Sequence, residues 1–366
     1  MPTADRKTTL IQYMSEHSID LAVITSPTNV YYFTGFYCNP HERFFAYVVD
    51  GRTGEETLFV PLLDRAAAQE EGSVSRVVGI SDTEDGYEVL KREKGSGVHR
   101  IGLEKNMVSL LQGERFAGLW PGCGFDNIEE FILSLRMKKS EQEIGKVVHA
   151  VKLVEQVLDH AVKLAVPGMT ELELTAELEF QMKRLGAERP SFDSIVLTGA
   201  RSALPHGVPG HTPIENNAFL LIDIGVKADG YCSDITRTFL MGEGTKEQES
   251  IYDAVLNANL LGIAAVQAGR PVSVLDDAAR NEISRLGYGE YFTHRVGHGF
   301  GMDIHEAPSI SGNNGLIMEP GLLFTIEPGI YVPSVGGVRI EDDVYIGEDG
   351  QARVLTSYPK ELTRLG

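Results

Sequence analysis

Residues 219–234 read FLLIDIGVKADGYCSD and set two aspartates, Asp223 and Asp234, on two runs of strand character. Leu220, Leu221, Ile222 and Ile224 form an apolar run, Lys227-Ala228-Asp229-Gly230 reads as a turn, and Tyr231 to Phe239 reads as a return strand. Run–turn–run of this kind predicts a hairpin. An aspartate within an apolar run is expensive to bury unless its charge is compensated. Two of them on paired strands can face each other, and clustered carboxylates are compensated by a metal ion or by a shared proton. Any fold for this chain must therefore bury that strand pair and bring something to it.

Four other segments carry reactive side chains in apolar or glycine-rich surroundings. They are His294-Arg295-Val296-Gly297-His298-Gly299, Met302-Asp303-Ile304-His305-Glu306, Phe324-Thr325-Ile326-Glu327-Pro328-Gly329 and Val338-Arg339-Ile340-Glu341-Asp342. Glu327 and Glu341 each follow an isoleucine in a strand-like context, and acidic residues inside strands need a reason. Taken singly, a buried Asp is more often a turn or cap residue, and a lone His a satisfied core histidine. The set changes the weighing. Asp223, Asp234, His298, Glu327 and Glu341 supply four carboxylates and one imidazole, which uncompensated would strongly destabilise a fold. Two divalent cations bring the four negative charges to zero. Hard oxygens with one nitrogen suit Mn²⁺, Co²⁺ or Zn²⁺ and argue against a Cys-rich structural zinc. Five ligands for two metals require bridging carboxylates, which leaves room for a bridging water, a nucleophile at neutral pH.

The chain of 366 residues is long enough for two domains, and 42% hydrophobic residues can fill their cores. The net charge, 33 − 52 = −19, argues against nucleic acid and anionic membrane as partners. Cys38, Cys123 and Cys232 show no C-x-x-C spacing and read as reduced packing residues. MPTADRKTTLIQYMSEHSID at the start lacks the apolar core of a signal peptide, and no apolar run is long enough to span a bilayer. A cytoplasmic protein is the expectation.

Residues 1–135 alternate helical and strand-like segments and predict an α/β domain with a mixed sheet. A helix is expected over 8–18, strands over 21–24, 44–49, 57–61 and 101–103, and a further helix over 126–135, before the basic stretch 136–139. The charged loop Asn39-Pro40-His41-Glu42-Arg43 reads from composition as solvated. Residues 136–366 form the second domain. Ser140-Glu141-Gln142-Glu143 and Thr170-Glu171-Leu172-Glu173 are capping boxes that start helices running to about Ala165 and to Gly186. The pattern returns with helices over 245–267 and 273–286. Gly168, Arg184, Leu185 and Gly186 match Gly269, Arg285, Leu286 and Gly287 at one offset, 269 − 168 = 101, and each helix pair leads to a His-Gly, at His206 and at His298. Shared order at constant offset predicts an internal duplication with a cleft between the halves.

These segments resemble the metal-dependent peptidases of the pita-bread fold, which include methionine aminopeptidase, Xaa-Pro aminopeptidase and prolidase. The order Asp, Asp, His, Glu, Glu is that family's. SPTNVYYFTGF (26–36), SALPHG (202–207), GYGEYFTHRVGHGFGMDIHEAPSI (287–310) and EPGIYVPSVGGVRIED (327–342) look most like bacterial prolidases. The resemblance implies an α/β creatinase-like domain over 1–135 and an α+β pita-bread catalytic domain with pseudo-two-fold internal duplication over 136–366. It implies two-metal hydrolysis of Xaa-Pro dipeptides by a metal-bridging hydroxide, with Mn(II) first and Co(II) or Zn(II) as alternatives. Asp223 would chelate one metal, Asp234 and Glu341 would bridge both, and His298 and Glu327 would complete the second site. Glu327 would also take the proton from the attacking hydroxide, His206 would protonate the leaving proline nitrogen, and His305 would bond the oxyanion. Tyr331 and Arg339 would form a supporting shell, with His294 and Arg295 facing the substrate. His41 and Arg43 would lie on a loop reaching the partner subunit's active site in a homodimer. One departure is present: where some prolidases carry an Arg shortly after His-Glu-x-Pro, this chain has Ser309, and the resemblance then implies that Arg295 would substitute. An Xaa-Pro aminopeptidase acting on longer peptides, and a metal-free binding protein on the same fold, are the rival readings.

Overall fold

The computed structural model describes residues 3–366, and the chain divides into two compact units, Met1–Leu135 and Arg136–Gly366. The first is built on six strands: β1 (Leu21–Ile24), β2 (Ala46–Asp50), β3 (Glu56–Pro61), β4 (Val77–Ile80), β5 (Arg100–Leu103) and β6 (Gly124–Asn127), in the order β4-β3-β2-β1-β5-β6. The sheet is mixed, since β1 runs antiparallel to β2 and parallel to β5. Helices α1 (Thr3–Glu16), α2 (Pro27–Thr34), α3 (Arg65–Glu71), α4 (Gly86–Lys94) and α5 (Leu110–Leu119) are interspersed along the chain. All four residues of β1 are buried, as a continuous apolar strand in the middle of a sheet requires. One expectation fails here. Residues 126–135 do not form a single helix: Asp126 and Asn127 extend β6, paired with Gly102 and Leu103, and α6 begins later, at Glu129–Met137. Asn127 Oδ1 accepts from the Glu129 N–H (3.3 Å), so a local polar turn separates strand from helix.

The second unit opens with α7 (Glu141–Leu164) and α8 (Glu171–Arg184), and both capping boxes close as read. Next come β7 (Arg189–Pro190), β8 (Ile195–Thr198), β9 (Ala218–Ile224), β10 (Val226–Ala228), β11 (Tyr231–Cys232) and β12 (Ile235–Met241), then α9 (Lys246–Ala264) and α10 (Ser273–Arg285). The last strands are β13 (Gly297–Gly299), β14 (Glu306–Ile310), β15 (Leu323–Ile326), β16 (Gly329–Val332), β17 (Gly336–Arg339), β18 (Asp342–Ile346), β19 (Ala352–Val354) and β20 (Arg364–Leu365). They form sheets ordered β20-β12-β9-β8, β14-β13-β15-β18-β19, β11-β10-β7 and β16-β17.

The duplication extends into packing. Every buried position of α9 falls on a buried position of α7 at the offset of 101: Ile251 on Ala150, Val255 on Val154, Asn259 on Leu158 and Gly262 on Ala161 are examples. The glycines that follow the helices agree in backbone conformation too, with φ of 92° and 88° at Gly168 and Gly269, and 98° and 90° at Gly186 and Gly287. Leu158, Leu174 and Leu178 from α7 and α8 pack with Leu220 and Ile222 of β9, while Val255 and Leu275 from α9 and α10 pack with Phe324, Val338 and Val344. Each such side chain contributes about 1.5–3 kcal/mol when fully buried, so the strands carrying the polar groups rest on a rigid apolar backing.

The hairpin predicted over 219–239 is present, with a break. β9 and β12 pair antiparallel with Asp223 opposite Thr236 and Ile224 opposite Ile235. Asp229 and Gly230 at the tip both have positive φ, 51° and 77°, as a primed hairpin turn requires. The return strand is interrupted at Ser233 and Asp234, between β11 and β12. Gly225 faces that break so closely that a Cβ would lie 2.2 Å from the Ser233 carbonyl. Asp234 thereby stands diagonal to Asp223 rather than directly across from it. Glu327 and Glu341 are not in strand interiors either: Glu327 follows β15, and Glu341 lies between β17 and β18. Their N–H groups bond Val296 O (2.7 Å) and Thr236 O (3.2 Å), outside the ladders. Among the described residues no helix is long and apolar enough to cross a membrane.

Candidate metal centre

The breaks and strand ends converge on one cavity of about 450 Å³ in the second unit. It is lined by Asp223, Asp234, His298, Glu327 and Glu341, together with His206, His294, Arg295, His305, Tyr331 and Arg339. Ligand-capable atoms of Asp234, His298 and Glu341 all lie within 4.8 Å of one another, and all three residues are buried. His298 Nε2 stands 3.3 Å from Glu327 Oε1 and 3.7 Å from Asp234 Oδ2.

The protonation of His298 follows from its neighbours. Its Nδ1 lies 3.1 Å from the Gly299 carbonyl, which can only accept, so Nδ1 carries the proton. Burial, and then the His305 ring at a centroid distance of 4.2 Å, push its pKa down to about 3. The ring is neutral, and the Nε2 lone pair points at carboxylate oxygens. Lone pair against carboxylate is repulsive unless a cation lies between them.

The carboxylates make the same demand. Among the described residues, Asp223 Oδ1 and Glu341 Oε1 are buried without a hydrogen-bond partner. Burial raises the Asp234 carboxyl far above its ordinary range, and the neighbouring Glu341 and Asp223 charges raise it further. Glu341 is raised by burial and then by Glu327 and Asp223. The second oxygen of each partly orphaned group is held: Arg339 pairs with Asp223 Oδ2, and Thr236 Oγ1 donates to Glu341 Oε2 (2.6 Å). Thr325 Oγ1 donates to Glu327 Oε1 (3.3 Å). The imidazole lone pair faces carboxylate oxygens of Asp234 and Glu327, and the residues bearing the orphaned oxygens line the same cavity. Hard oxygens with one nitrogen fit divalent cations, and these residues fit the metal that the sequence implies.

Residues 145–348 match metallopeptidase family M24, and residues 6–138 match the creatinase/prolidase N-terminal domain. This chain belongs to metallopeptidase family M24. Its solved relatives include the prolidase of Pyrococcus furiosus, 38% identical, covering 95% of this chain and 99% of that one with a TM-score of 0.88. The Xaa-Pro dipeptidase of Bacillus anthracis is 32% identical over the whole of both chains, with a TM-score of 0.92. The X-Pro aminopeptidase of Thermotoga maritima is 32% identical, covering 98% of this chain and 100% of that one, with a TM-score of 0.88.

Around this M24 centre runs a chain of hydrogen bonds whose directions are fixed. Arg339 donates from Nη1 to the Tyr331 hydroxyl (2.8 Å) and from Nε to Thr236 Oγ1 (3.1 Å). The Arg295 carbonyl can only accept, so His294 Nδ1 carries the ring's proton and Nε2 accepts from the Tyr331 hydroxyl (2.9 Å). His294 Nδ1 then donates to the Arg295 carbonyl (2.8 Å), and burial with the nearby Arg339 charge pushes its pKa down to about 4. Arg339 is thus fully engaged. Arg295 is exposed, donates to Ser309 Oγ (3.2 Å) and forms no ion pair among the described residues.

The loop carrying His206 is held from below by Glu171, which accepts from the Thr198 and Gly210 N–H groups (3.0 Å each) and from Arg201. His305 is fixed through its neighbour Glu306, which pairs with Lys139 and Arg136. His41 and Arg43 do not line this cavity. They line one of about 930 Å³ in the N-terminal unit, where Arg43 pairs with Asp82.

Sequence reasoning missed Thr236, Thr325 and Asp343. Asp343 Oδ2 accepts from the Asp234 N–H (3.2 Å), and its Oδ1 is buried without a partner. The run Glu341-Asp342-Asp343 was the available signal for Asp343. The two threonines carried none, because threonine is an ordinary strand residue.

Proposed function

We propose that this chain is a cytosolic, homodimeric Xaa-Pro dipeptidase working with two divalent ions, Mn(II) in preference to Co(II) or Zn(II). The observation that carries the reading is that Asp223, Asp234, His298, Glu327 and Glu341 line one cavity, with buried carboxylate oxygens that lack partners among the described residues and an imidazole lone pair facing carboxylates. Those five residues would hold the ions. Bound there, divalent ions supply charge neutralisation, polarise the scissile carbonyl and lower the pKa of water.

The chain's own groups do the rest. Glu327, its carboxyl raised by burial, accepts the proton of the attacking water. An Xaa-Pro bond is a tertiary amide whose nitrogen must be protonated before the bond breaks, and His206 at the exposed rim of the cavity delivers that proton. His305 donates to the developing oxyanion. Phe192, Pro205 and Ile304 supply an apolar wall suited to a proline ring. Arg295, without a carboxylate partner among the described residues, meets the free carboxylate of a dipeptide. In the dimer the loop 39–43 reaches the partner subunit's site. The free cysteines support a reducing compartment.

Hydrolysis of Gly-Pro and Leu-Pro with added Mn²⁺ or Co²⁺ tests the reading, and no cleavage of any Xaa-Pro dipeptide in metal-replete enzyme overturns it. A second reading, an Xaa-Pro aminopeptidase acting on longer peptides, is favoured by Ser309 in place of an arginine and by the likeness to the Thermotoga maritima enzyme. The ratio of kcat/KM on Leu-Pro and Leu-Pro-Pro decides between them.

A further inference from the structure

Asn259 lies on α9, fully buried, away from the residues that line the metal cavity. Its Nδ2 donates to the carbonyl of Ile326 (3.0 Å) and to the carbonyl of Ile340 (3.3 Å). Ile326 and Ile340 are the residues immediately before Glu327 and Glu341. One amide therefore ties together the two backbone segments from which the two glutamates project. Its Oδ1 accepts from Lys360 Nζ (3.1 Å), and Lys360 also donates to Asp342 Oδ2 (2.7 Å). An ammonium only donates and a carbonyl only accepts, so the amide can face one way: oxygen to Lys360, nitrogen to the two carbonyls.

The internal duplication supplies a control. The position equivalent to Asn259 is Leu158 (259 − 101 = 158), equally buried, on a helix whose other buried positions match. The helix scaffold thus takes an apolar side chain at this place. The half of the molecule that bears Glu327 and Glu341 has the amide instead, and a buried amide is retained at a cost unless its hydrogen bonds are made.

We propose that Asn259 is a positioning residue that sets the spacing and direction of Glu327 and Glu341, with Lys360 locking the face the amide presents. The inference rests on the reading of those glutamates as ligands of the divalent ions. Groups that orient metal ligands from behind typically change metal affinity about 10–100-fold when removed.

The test compares wild-type protein with Asn259→Leu and Lys360→Met. Each is stripped with a chelator and titrated with Mn²⁺ by calorimetry. The Mn(II) electron paramagnetic resonance spectrum of the loaded protein and the thermal midpoint of the metal-free protein are recorded in parallel. Asn259→Leu is expected to weaken Mn²⁺ binding about 10–100-fold and to change the spectrum. Lys360→Met should shift both in the same direction by less. Wild-type affinity and spectrum in Asn259→Leu, whatever its thermal midpoint, would make Asn259 a packing residue only and overturn the proposal. If Asn259→Leu does not fold, Lys360→Met decides alone, and unchanged affinity overturns the proposal. A wild-type protein that takes up no Mn²⁺, Co²⁺ or Zn²⁺ would refute the ligand reading itself and the proposal with it. Uptake by wild type with unchanged variants refutes only the role of Asn259.

Discussion

Each unit buries carboxylates, and Glu104 in the first contrasts with the carboxylates at the metal cavity of the second. In the N-terminal unit Glu104 is fully buried, yet it accepts from the Thr25 N–H (2.6 Å), the Ser26 N–H (2.9 Å) and Asn29 Nδ2 (2.5 Å). In the second unit Asp223 and Glu341 each keep one buried oxygen without a partner. The cavities rank the other way by size, about 930 Å³ in the N-terminal unit against about 450 Å³ around the carboxylates. In the larger cavity Arg43 pairs with Asp82 and Arg115 with Asp85, so its charges are largely answered. Volume alone does not mark chemistry. Unanswered buried charge does, because a fold tolerates it only where a ligand will answer it.

The comparison breaks most sharply at Glu341→Gln. Activity is expected to fall about 10³-fold or more, since several kcal/mol of transition-state stabilisation depends on the ion site. The metal-free fold should respond in the opposite sense. Burial, then the charges of Glu327 and Asp223, raise the Glu341 carboxyl in the folded state. A carboxyl raised on folding contributes stability below its unfolded pKa, and that stability is lost as pH rises through the folded value. This carboxyl should therefore cost metal-free stability as pH rises above the ordinary glutamate value of about 4.3. The thermal midpoint of metal-free Glu341→Gln should gain on that of wild type as pH rises, and saturating Mn²⁺ should abolish that gain. Thermal midpoints of both proteins in chelator check it, and a difference that does not grow with pH contradicts it.

His206→Ala separates proton delivery from ion binding. Its expected effect is a fall in kcat of about 10²–10⁴-fold with Mn²⁺ content unchanged, read by steady-state kinetics and elemental analysis. Parallel loss of metal would make His206 a ligand. Arg295→Ala comes next in size: KM for Leu-Pro should rise about 10–100-fold, and KM for Leu-Pro-Pro by less. An equal rise on both substrates removes Arg295 as the carboxylate anchor.

These residues were legible in the sequence for a physical reason. Asp223 breaks an apolar run, and Glu327 and Glu341 follow isoleucines, so each violates its local pattern. The capping boxes at Ser140 and Thr170 are equally local, since donor and acceptor lie three residues apart, and both formed. What was not legible depends on distant pairing. Thr236 meets Glu341 across 105 residues, and Asn259 meets Ile326 and Ile340 across 67 and 81. Asp126 and Asn127 show no apolar alternation, so nothing local marks them as strand, and their pairing with Gly102 and Leu103 appears only in the folded sheet. The interruption of the return strand at Asp234 depends on Gly225, a close approach that only the folded hairpin reveals.

The smallest effect on catalysis belongs to the answered carboxylate. Glu104→Ala leaves the Ser26 and Thr25 backbone N–H groups, one buried and one part-buried, and the Asn29 amide without this acceptor, at a cost of about 2–4 kcal/mol to the fold. Urea midpoints should fall, while Mn²⁺ affinity and kcat/KM of the folded fraction stay within about twofold, the scatter expected of an independent site. Set beside Glu341→Gln, the two substitutions should move metal-free stability in opposite directions and activity by unequal amounts. If Glu104→Ala instead lowered Mn²⁺ affinity, satisfied and unsatisfied carboxylates would not divide structure from function in this protein, and the contrast between its two units would lose its meaning.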